Sequence, residues 1–161
     1  MANTPVSSNE HLIIVGKLEH LATVTELILC GALRVLLGCQ PKVARAIFYT
    51  LDSFPGKRNL LQRVVAEVGD DRDKTLVDAM IAAAERASNQ RRQVAHAVVF
   101  FKEQDLGSSF KIFSPKSGDE KQVSKEWHQH LYDHSSEAQK AGLEAYAELC
   151  QKRGVPLLID L

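Results

Sequence analysis

The stretch DKTLVDAMIAAAERASNQRRQVAH, residues 73–96, decides the fold class of this chain. Its apolar residues recur every three or four positions and no glycine or proline interrupts them, which predicts one long amphipathic α-helix. On a helical wheel that turns about 100° per residue, these residues form one stripe. The members of the stripe are Leu76, Val77, Met80, Ile81, Ala84 and Ala87. Because such a stripe packs against other helices, the sequence predicts a helical bundle.

Arg91 lies in the middle of this stripe, at about 60° when Leu76 is set at zero. Arginine is always charged and is costly to bury without a partner, so this position predicts an ion pair with a buried carboxylate, a cap on exposed carbonyls at the helix end, or a role at an interface. His96 lies roughly 140° from Arg91 on an unbroken helix. The two side chains converge only if the helix ends or bends near Ala95, or if a second copy of the chain brings them together. On a straight helix it is Arg92 that shares the face of His96.

The segments before this stretch carry helical patterns as well. A capping box at residues 7–10 begins a helix that is predicted to reach Leu37. Pro41 begins a second helix, because its missing N–H costs nothing in the first turn. Phe54-Pro55-Gly56 is predicted to end that helix, and a third helix follows up to Gly69.

The run at residues 27–37 is apolar on almost every side, which is typical of a helix at the centre of a bundle. Gly31 within this run marks a bend or a close contact between helices. The run is too short to span a bilayer and is interrupted by Arg34. Residues 1–5 lack the basic and apolar regions of a signal peptide. We therefore expect a cytoplasmic protein without a membrane segment.

The period of the apolar residues changes after the long helix. Two β-prone runs, residues 98–101 and 110–113, flank a turn-like stretch and predict a small β-hairpin. Asp133 is predicted to cap a last helix that ends at Arg153. The predicted organisation is a single domain over residues 1–161, with a helical core at 8–97, a β-hairpin and loop at 98–123 and a C-terminal helix at 133–153.

Composition narrows the functional class only slightly. Hydrophobic residues make up 45% and charged residues 25% of the chain, as in an ordinary globular protein. Lys+Arg and Asp+Glu both number 20, so overall charge points to no nucleic-acid or membrane partner and leaves only a local basic patch open. The three cysteines form no CxxC pair and have no ligand cluster around them, which favours reduced thiols over a disulfide or metal role.

The segment from Trp127 to His134 is rich in histidine. His130 and His134 have the i, i+4 spacing of a helical metal pair. The predicted cap at Asp133 places a helix boundary between them, however. We therefore interpret this segment as a polar surface and predict no metal site.

The segment Arg91-Arg92-Gln93-Val94-Ala95-His96, at the end of a long helix, resembles the hallmark motif of the HEPN superfamily. That motif is an arginine, a polar residue, three further residues and a histidine. The resemblance covers residues 8–97, and the later segments look like an elaboration found in some bacterial members. It implies a mainly α, HEPN-like bundle of four to five helices with a small β-hairpin insertion. It also implies a homodimer in which two motifs line one cleft.

The resemblance further implies a metal-independent endoribonuclease that uses no cofactor and acts as a toxin or defence factor, with an antitoxin partner. RNA carries its own nucleophile, the 2′-OH beside each phosphate. In this resemblance His96 transfers the proton or activates the 2′-OH, and Arg91 binds the phosphate and stabilises charge in the transition state.

One position departs from the family pattern. The second motif position usually holds a small polar residue, and here it is Arg92, which either adds to phosphate binding or marks a member that has lost catalysis. Two rival interpretations therefore stay open. The first is a non-catalytic HEPN-like module that binds nucleotide or RNA, and the second is a structural dimer in which Arg91 forms a buried ion pair.

Overall fold

The computed structural model describes residues 8–95, 98–100, 111–113, 120–122 and 124–158. Most of these residues are helical, which confirms the prediction of a mainly α-helical bundle. The helices are α1 (Ser8–Leu37), α2 (Pro41–Phe48), α3 (Phe54–Val68), α4 (Asp71–Ala95) and α5 (Lys125–Lys152). The three long helices α1, α4 and α5 pack against one another, while α2 and α3 contact α1 and α3 also contacts α4.

Three short strands lie between α4 and α5. They are β1 (Val98–Phe100), β2 (Lys111–Phe113) and β3 (Glu120–Gln122). They pair antiparallel in the order β1-β2-β3, with Val99 opposite Ile112 and Ile112 opposite Lys121. The connecting residues 101–110 and 114–119 lie outside the described residues, so the β-hairpin insertion stays a prediction.

The predicted boundary between the second and third helices was wrong. Phe54-Pro55-Gly56 does not end α2 but begins α3. The hydroxyl of Ser53 accepts a hydrogen bond of 3.2 Å from the backbone N–H of Gly56, which caps the first turn. Pro55 occupies that first turn, where its missing N–H costs nothing.

The predicted start of the last helix was also wrong. The helix begins at Lys125 because Ser124 caps it, accepting a hydrogen bond of 3.2 Å from the N–H of Trp127. Asp133, the predicted cap, lies in the helix interior and accepts a hydrogen bond of 2.7 Å from the side chain of Gln129. The cap at Ser124, nine residues upstream of Asp133, thus extends the predicted helix 133–153 to Lys125–Lys152.

The centre of α1 forms the middle of the core, as its apolar run predicts. Leu29 and Leu33 are fully buried, and so is Tyr146 on the facing helix α5. A Cβ atom built on Gly31 would lie 2.6 Å from the hydroxyl oxygen of Tyr146. Gly31 therefore marks a close contact between α1 and α5, one of the two roles expected for it.

Among the described residues, α1 is the single helix that is long and apolar enough to cross a membrane by length and composition. Its candidate span is Asn9–Leu37, and 61% of the most apolar window is buried inside the protein. A buried core helix passes the same test, so this finding is weak support for a membrane segment. The cytoplasmic location stays a prediction.

Candidate functional site

Arg91 reaches from the last turns of α4 across to α1. Its Nη1 atom donates hydrogen bonds to both carboxylate oxygens of Glu19, at 2.9 and 3.2 Å. The side chain of Arg91 is 35% exposed and that of Glu19 is 52% exposed. The expected carboxylate partner is therefore present, but the ion pair lies at the rim of the bundle and not in its interior.

The next position of the α4 stripe shows why Arg91 stays near the surface. Val94, three residues later, is buried against Leu18 of α1 and Leu131 of α5. The apolar contact that the stripe requires is thus made by Val94. The long aliphatic stem of Arg91 lets its charged end reach the surface even though its backbone lies on the buried face.

A polar cavity of about 190 Å³ opens beside the Arg91–Glu19 pair. Its walls come from α1, α4, the start of α3 and the residue Asp52. The charged residues that line it are Glu19, Glu26, Asp52, Lys57, Arg91 and Arg92. Pockets for drug-sized ligands have about 300–1,000 Å³, so this cavity takes a smaller group, of the size of a phosphate with its nearest atoms.

The positively charged side chains that line this cavity differ in whether they form an ion pair with a carboxylate. Lys57 is buried, forms an ion pair with Glu26, and lies 5.1 and 4.9 Å from the ring centres of Phe48 and Tyr49. Lys57 is therefore held in place by the protein itself. Arg92, by contrast, is exposed and forms no ion pair with the part of the chain that the structure describes.

The structure describes α4 as far as Ala95. His96 lies outside the described residues, so its predicted catalytic role stays a prediction. The structure brings Arg91 and Arg92 to the lining of one cavity.

Neither Glu19 nor Lys57 was predicted from the sequence as a residue of the site. Glu19 is 72 positions from Arg91, and no periodicity within one helix reveals a pair formed between two helices. Lys57 follows Pro55 in a segment that was predicted to be a helix end. Recognising Ser53 as a cap would have placed Lys57 in the first turns of α3.

A second cluster of titratable residues joins the first turns of α1 and α5. His11 and His128 are both buried, with 3.1 Å between Nδ1 of His11 and Nε2 of His128. His128 is thus not part of a polar surface, in contrast to the prediction for residues 127–134. His130 and His134 are exposed on the continuous helix α5, with ring centres 4.2 Å apart.

Burial, together with the neighbouring His11, lowers the pKa of His128 to about 4, although Glu10 acts in the opposite direction. Burial also lowers the pKa of His11. Within the described ranges, no group of three or more His, Cys, Asp or Glu residues is arranged to hold a metal ion.

Comparisons with models of known protein families, with curated proteins and with solved structures found no significant match to this chain. The resemblance to the HEPN superfamily therefore rests on the motif from Arg91 to His96 alone. The function has to follow from the chemistry of the residues around the cavity.

Proposed function

We propose that this chain is a metal-independent endoribonuclease of HEPN type, a cytoplasmic bacterial toxin or defence factor that acts as a homodimer. The observation that carries the proposal is the setting of Arg91. Its guanidinium lines a polar cavity near the end of α4 and is oriented by both carboxylate oxygens of Glu19. An arginine held in this way is suited to bind a phosphate in one fixed orientation.

The guanidinium of Arg91 retains binding capacity beyond its contact with Glu19. Only Nη1 donates to the carboxylate. Nε is buried and has no hydrogen-bond partner among the described residues. A phosphate oxygen that enters the cavity can accept a hydrogen bond from the guanidinium of Arg91, and the bond is stronger than a neutral one because both groups are charged.

The cleavage chemistry assigned to the site uses RNA's own nucleophile. The 2′-OH attacks the adjacent phosphorus while His96 accepts its proton, and the bond to the 5′-oxygen of the next nucleotide breaks as that oxygen takes up a proton from water. Arg91 stabilises the charge that builds up on the phosphate oxygens, and Arg92 binds a neighbouring phosphate. Imidazole and guanidinium together supply the proton transfer and the charge stabilisation, so the proposal needs no metal or cofactor.

A second candidate is a non-catalytic module that binds nucleotide or RNA. It needs only Arg91 and Arg92 at the cavity and makes no demand on His96. The presence of Arg92 at the second motif position favours it, because a second cation strengthens phosphate binding without adding a catalytic group. The Glu19–Arg91 pair also suits the third interpretation, a structural role for Arg91, although the pair is half exposed.

These candidates are separated by incubating the purified protein with labelled single-stranded RNA in EDTA. We expect cleavage that survives chelation and falls about 10²–10⁴-fold in His96→Ala, the usual contribution of a proton-transfer group. Arg91→Ala should reduce cleavage while the protein stays folded, since exposed ion pairs contribute only about 0.2–1 kcal/mol. Arg86→Ala is the matched control, because Arg86 is an exposed arginine of the same helix.

The alternatives give distinct results in the same experiment. RNA binding that depends on Arg91 and Arg92, without cleavage, identifies the binding module. Neither binding nor cleavage, together with a large loss of stability in Arg91→Ala, identifies the structural role. Cleavage that is equal in wild type and His96→Ala contradicts the proposed mechanism.

A further inference from the structure

His130 and His134 lie one helical turn apart on α5. This helix is continuous from Lys125 to Lys152, because Ser124 caps it and Asp133 lies in its interior. Both histidines therefore belong to one unbroken helix, although the sequence predicted a helix boundary between them. That boundary was the reason against a metal pair, and without it the two histidines have the i, i+4 spacing at which helices bind zinc.

Both imidazole rings are exposed, with their centres 4.2 Å apart and an angle of 67° between the ring planes. Neither ring forms a hydrogen bond or an ion pair with the part of the chain that the structure describes. The pair thus differs from His11 and His128, whose facing nitrogens are buried and already share a hydrogen bond. The nitrogens of His130 and His134 are available to a ligand from solution.

The distance between the two rings fits one shared metal ion. Bonds of about 2.0–2.1 Å from a zinc ion to two imidazole nitrogens hold those nitrogens no more than about 4 Å apart. Exposed side chains rotate about their single bonds within picoseconds to nanoseconds, and such rotation directs one nitrogen of each ring at the same point. The backbone that carries both rings is fixed before an ion binds, because α5 packs against α1 and α4.

We propose that His130 and His134 form a binding site for one divalent transition-metal ion of the class Cu²⁺, Ni²⁺ and Zn²⁺. Imidazole nitrogen suits these ions, and Cu²⁺ binds such ligands most tightly. Mg²⁺ and Ca²⁺ prefer oxygen ligands and should not bind. Within the described residues no third His, Cys, Asp or Glu completes the site. The ion therefore keeps open positions for water or for a ligand from another molecule.

This site is separate from the proposed ribonuclease site. The chemistry proposed for Arg91 and His96 uses no metal, and the cleavage assay contains EDTA, which removes an ion from the histidine pair. Absence of cleavage and absence of metal binding are therefore distinguishable results, and each proposal can fail without the other.

The test is isothermal titration calorimetry of the untagged chain with NiCl₂, and MgCl₂ is the control ion. Nickel is the probe because, unlike copper, it does not oxidise thiols, and this chain has three free cysteines. We expect wild type to bind one Ni²⁺ per chain at the histidine pair and to show no heat of binding with Mg²⁺. Cys39 is partly exposed and can bind Ni²⁺ by itself, but its contribution is common to wild type and all variants.

His130→Gln and His134→Gln should each weaken the binding of Ni²⁺ roughly tenfold or more, because the second ligand of a linked pair binds intramolecularly. His20→Gln, a change of an exposed histidine on α1, is the matched control and should leave the affinity unchanged. Circular dichroism checks that each variant stays folded, as expected for exposed side chains.

A double variant, His134→Glu with Glu137→His, tests the spacing itself. It keeps the number of histidines and the net charge, and Glu137 is exposed on α5 as well. The two histidines are then seven residues apart, about 10.5 Å along the helix, which is too far for one ion. The double variant should therefore bind Ni²⁺ no more tightly than His134→Gln does.

Two results overturn the proposal. The first is a wild-type affinity no higher than that of the double variant, which shows only adventitious binding by separate histidines. The second is a loss of affinity in His20→Gln as large as that in His134→Gln, which places the ion elsewhere.

Discussion

His11 and His128 face each other across the interface of α1 and α5, with 3.1 Å between Nδ1 of His11 and Nε2 of His128. A hydrogen bond between two imidazole nitrogens needs one donor and one acceptor, so at least one ring has to be neutral. The charged groups nearby are Glu10 and Lys125, which pair with each other at 2.7 Å, and Lys17. This pair of histidines makes the junction between the two helices sensitive to pH.

We expect the free energy of unfolding to fall as the pH is lowered from about 6.5 towards 4. The pKa of both histidines is lowered in the folded state, to about 4 for His128, from the ordinary value of about 6.5. Between these values the unfolded chain binds more protons than the folded one, so acid favours unfolding. Urea unfolding at a series of pH values from 7.5 to 4.5 measures how steeply the free energy of unfolding depends on pH.

His128→Gln should flatten that pH dependence, because glutamine keeps a polar group at the site but does not titrate. His134→Gln, a change of an exposed histidine on the same helix, is the matched control and should keep the slope. Trp127, the only tryptophan, lies with its ring centre 5.4 Å from that of His128 and reports on this junction by its fluorescence. A slope that is unchanged in His128→Gln contradicts the assignment.

The start of α4 and the end of α5 are joined by an ion-pair network around Asp73, which is 1% exposed. Lys152 donates to Asp70 at 2.6 Å and to Asp73 at 2.7 Å, and Arg153 also donates to Asp73. Asp73→Asn should lower the free energy of unfolding by about 2 kcal/mol, since hydrogen bonds to charged groups contribute about 1.5–3 kcal/mol. Asp71→Asn, at a fully exposed aspartate of the same turn, should change it little.

The same network should make the protein lose further stability in strong acid. The hydrogen bond from Lys152 lowers the pKa of Asp70 to about 2. For Asp73, burial raises the pKa, but the hydrogen bonds from Lys152 and Arg153 outweigh burial and lower it overall. The unfolded state therefore binds more protons from about pH 4 downwards, and stability is lost as the pH falls towards 2. In thermal melts, the Asp73→Asn variant should therefore lose less stability than wild type as the pH falls from about 4 towards 2.

Two glycines of α1 should respond to alanine in opposite directions. A Cβ on Gly31 would lie 2.6 Å from the hydroxyl oxygen of Tyr146, whereas a Cβ on Gly16 meets nothing within 4 Å. Gly31→Ala should destabilise the protein by about 1–3 kcal/mol through overpacking. Gly16→Ala should stabilise it by roughly 0.5–1 kcal/mol, because alanine favours the helix. Equal effects of the two changes on the melting temperature would contradict the close contact of α1 and α5.

The helical elements of this fold were largely predictable because each leaves a local signal. The stripe in α4 and the apolar run in α1 predict buried helices, and both are buried. The wrong predictions concern the residues at which helices begin, because more than one residue of a suitable type can form the N-terminal cap. At α5 the hydroxyl of Ser124 forms the cap, and Asp133, equally suitable by residue type, lies inside the helix.

The candidate site was predictable only in part. The helical-wheel argument placed Arg91 on the face of α4 that points towards the bundle, and Arg91 does contact α1 through Glu19. Its partner Glu19 and the buried Lys57 were not predictable, because each ion pair joins helices that are distant in sequence. Such pairs depend on how helices are set against one another, which the pattern within one helix does not determine.

Glu19 offers a test that separates binding of RNA from its cleavage. If Glu19 orients Arg91 for catalysis, Glu19→Gln should slow cleavage about tenfold to hundredfold, the range expected when a catalytic group is misplaced. The same change removes a negative charge beside the cavity, so RNA should bind more tightly at low salt. Glu85→Gln, at an exposed glutamate of α4, controls for the change in net charge. Single-turnover cleavage and filter binding measure the two effects separately. Cleavage that rises together with binding contradicts a positioning role and shows that Glu19 only competes with RNA for Arg91.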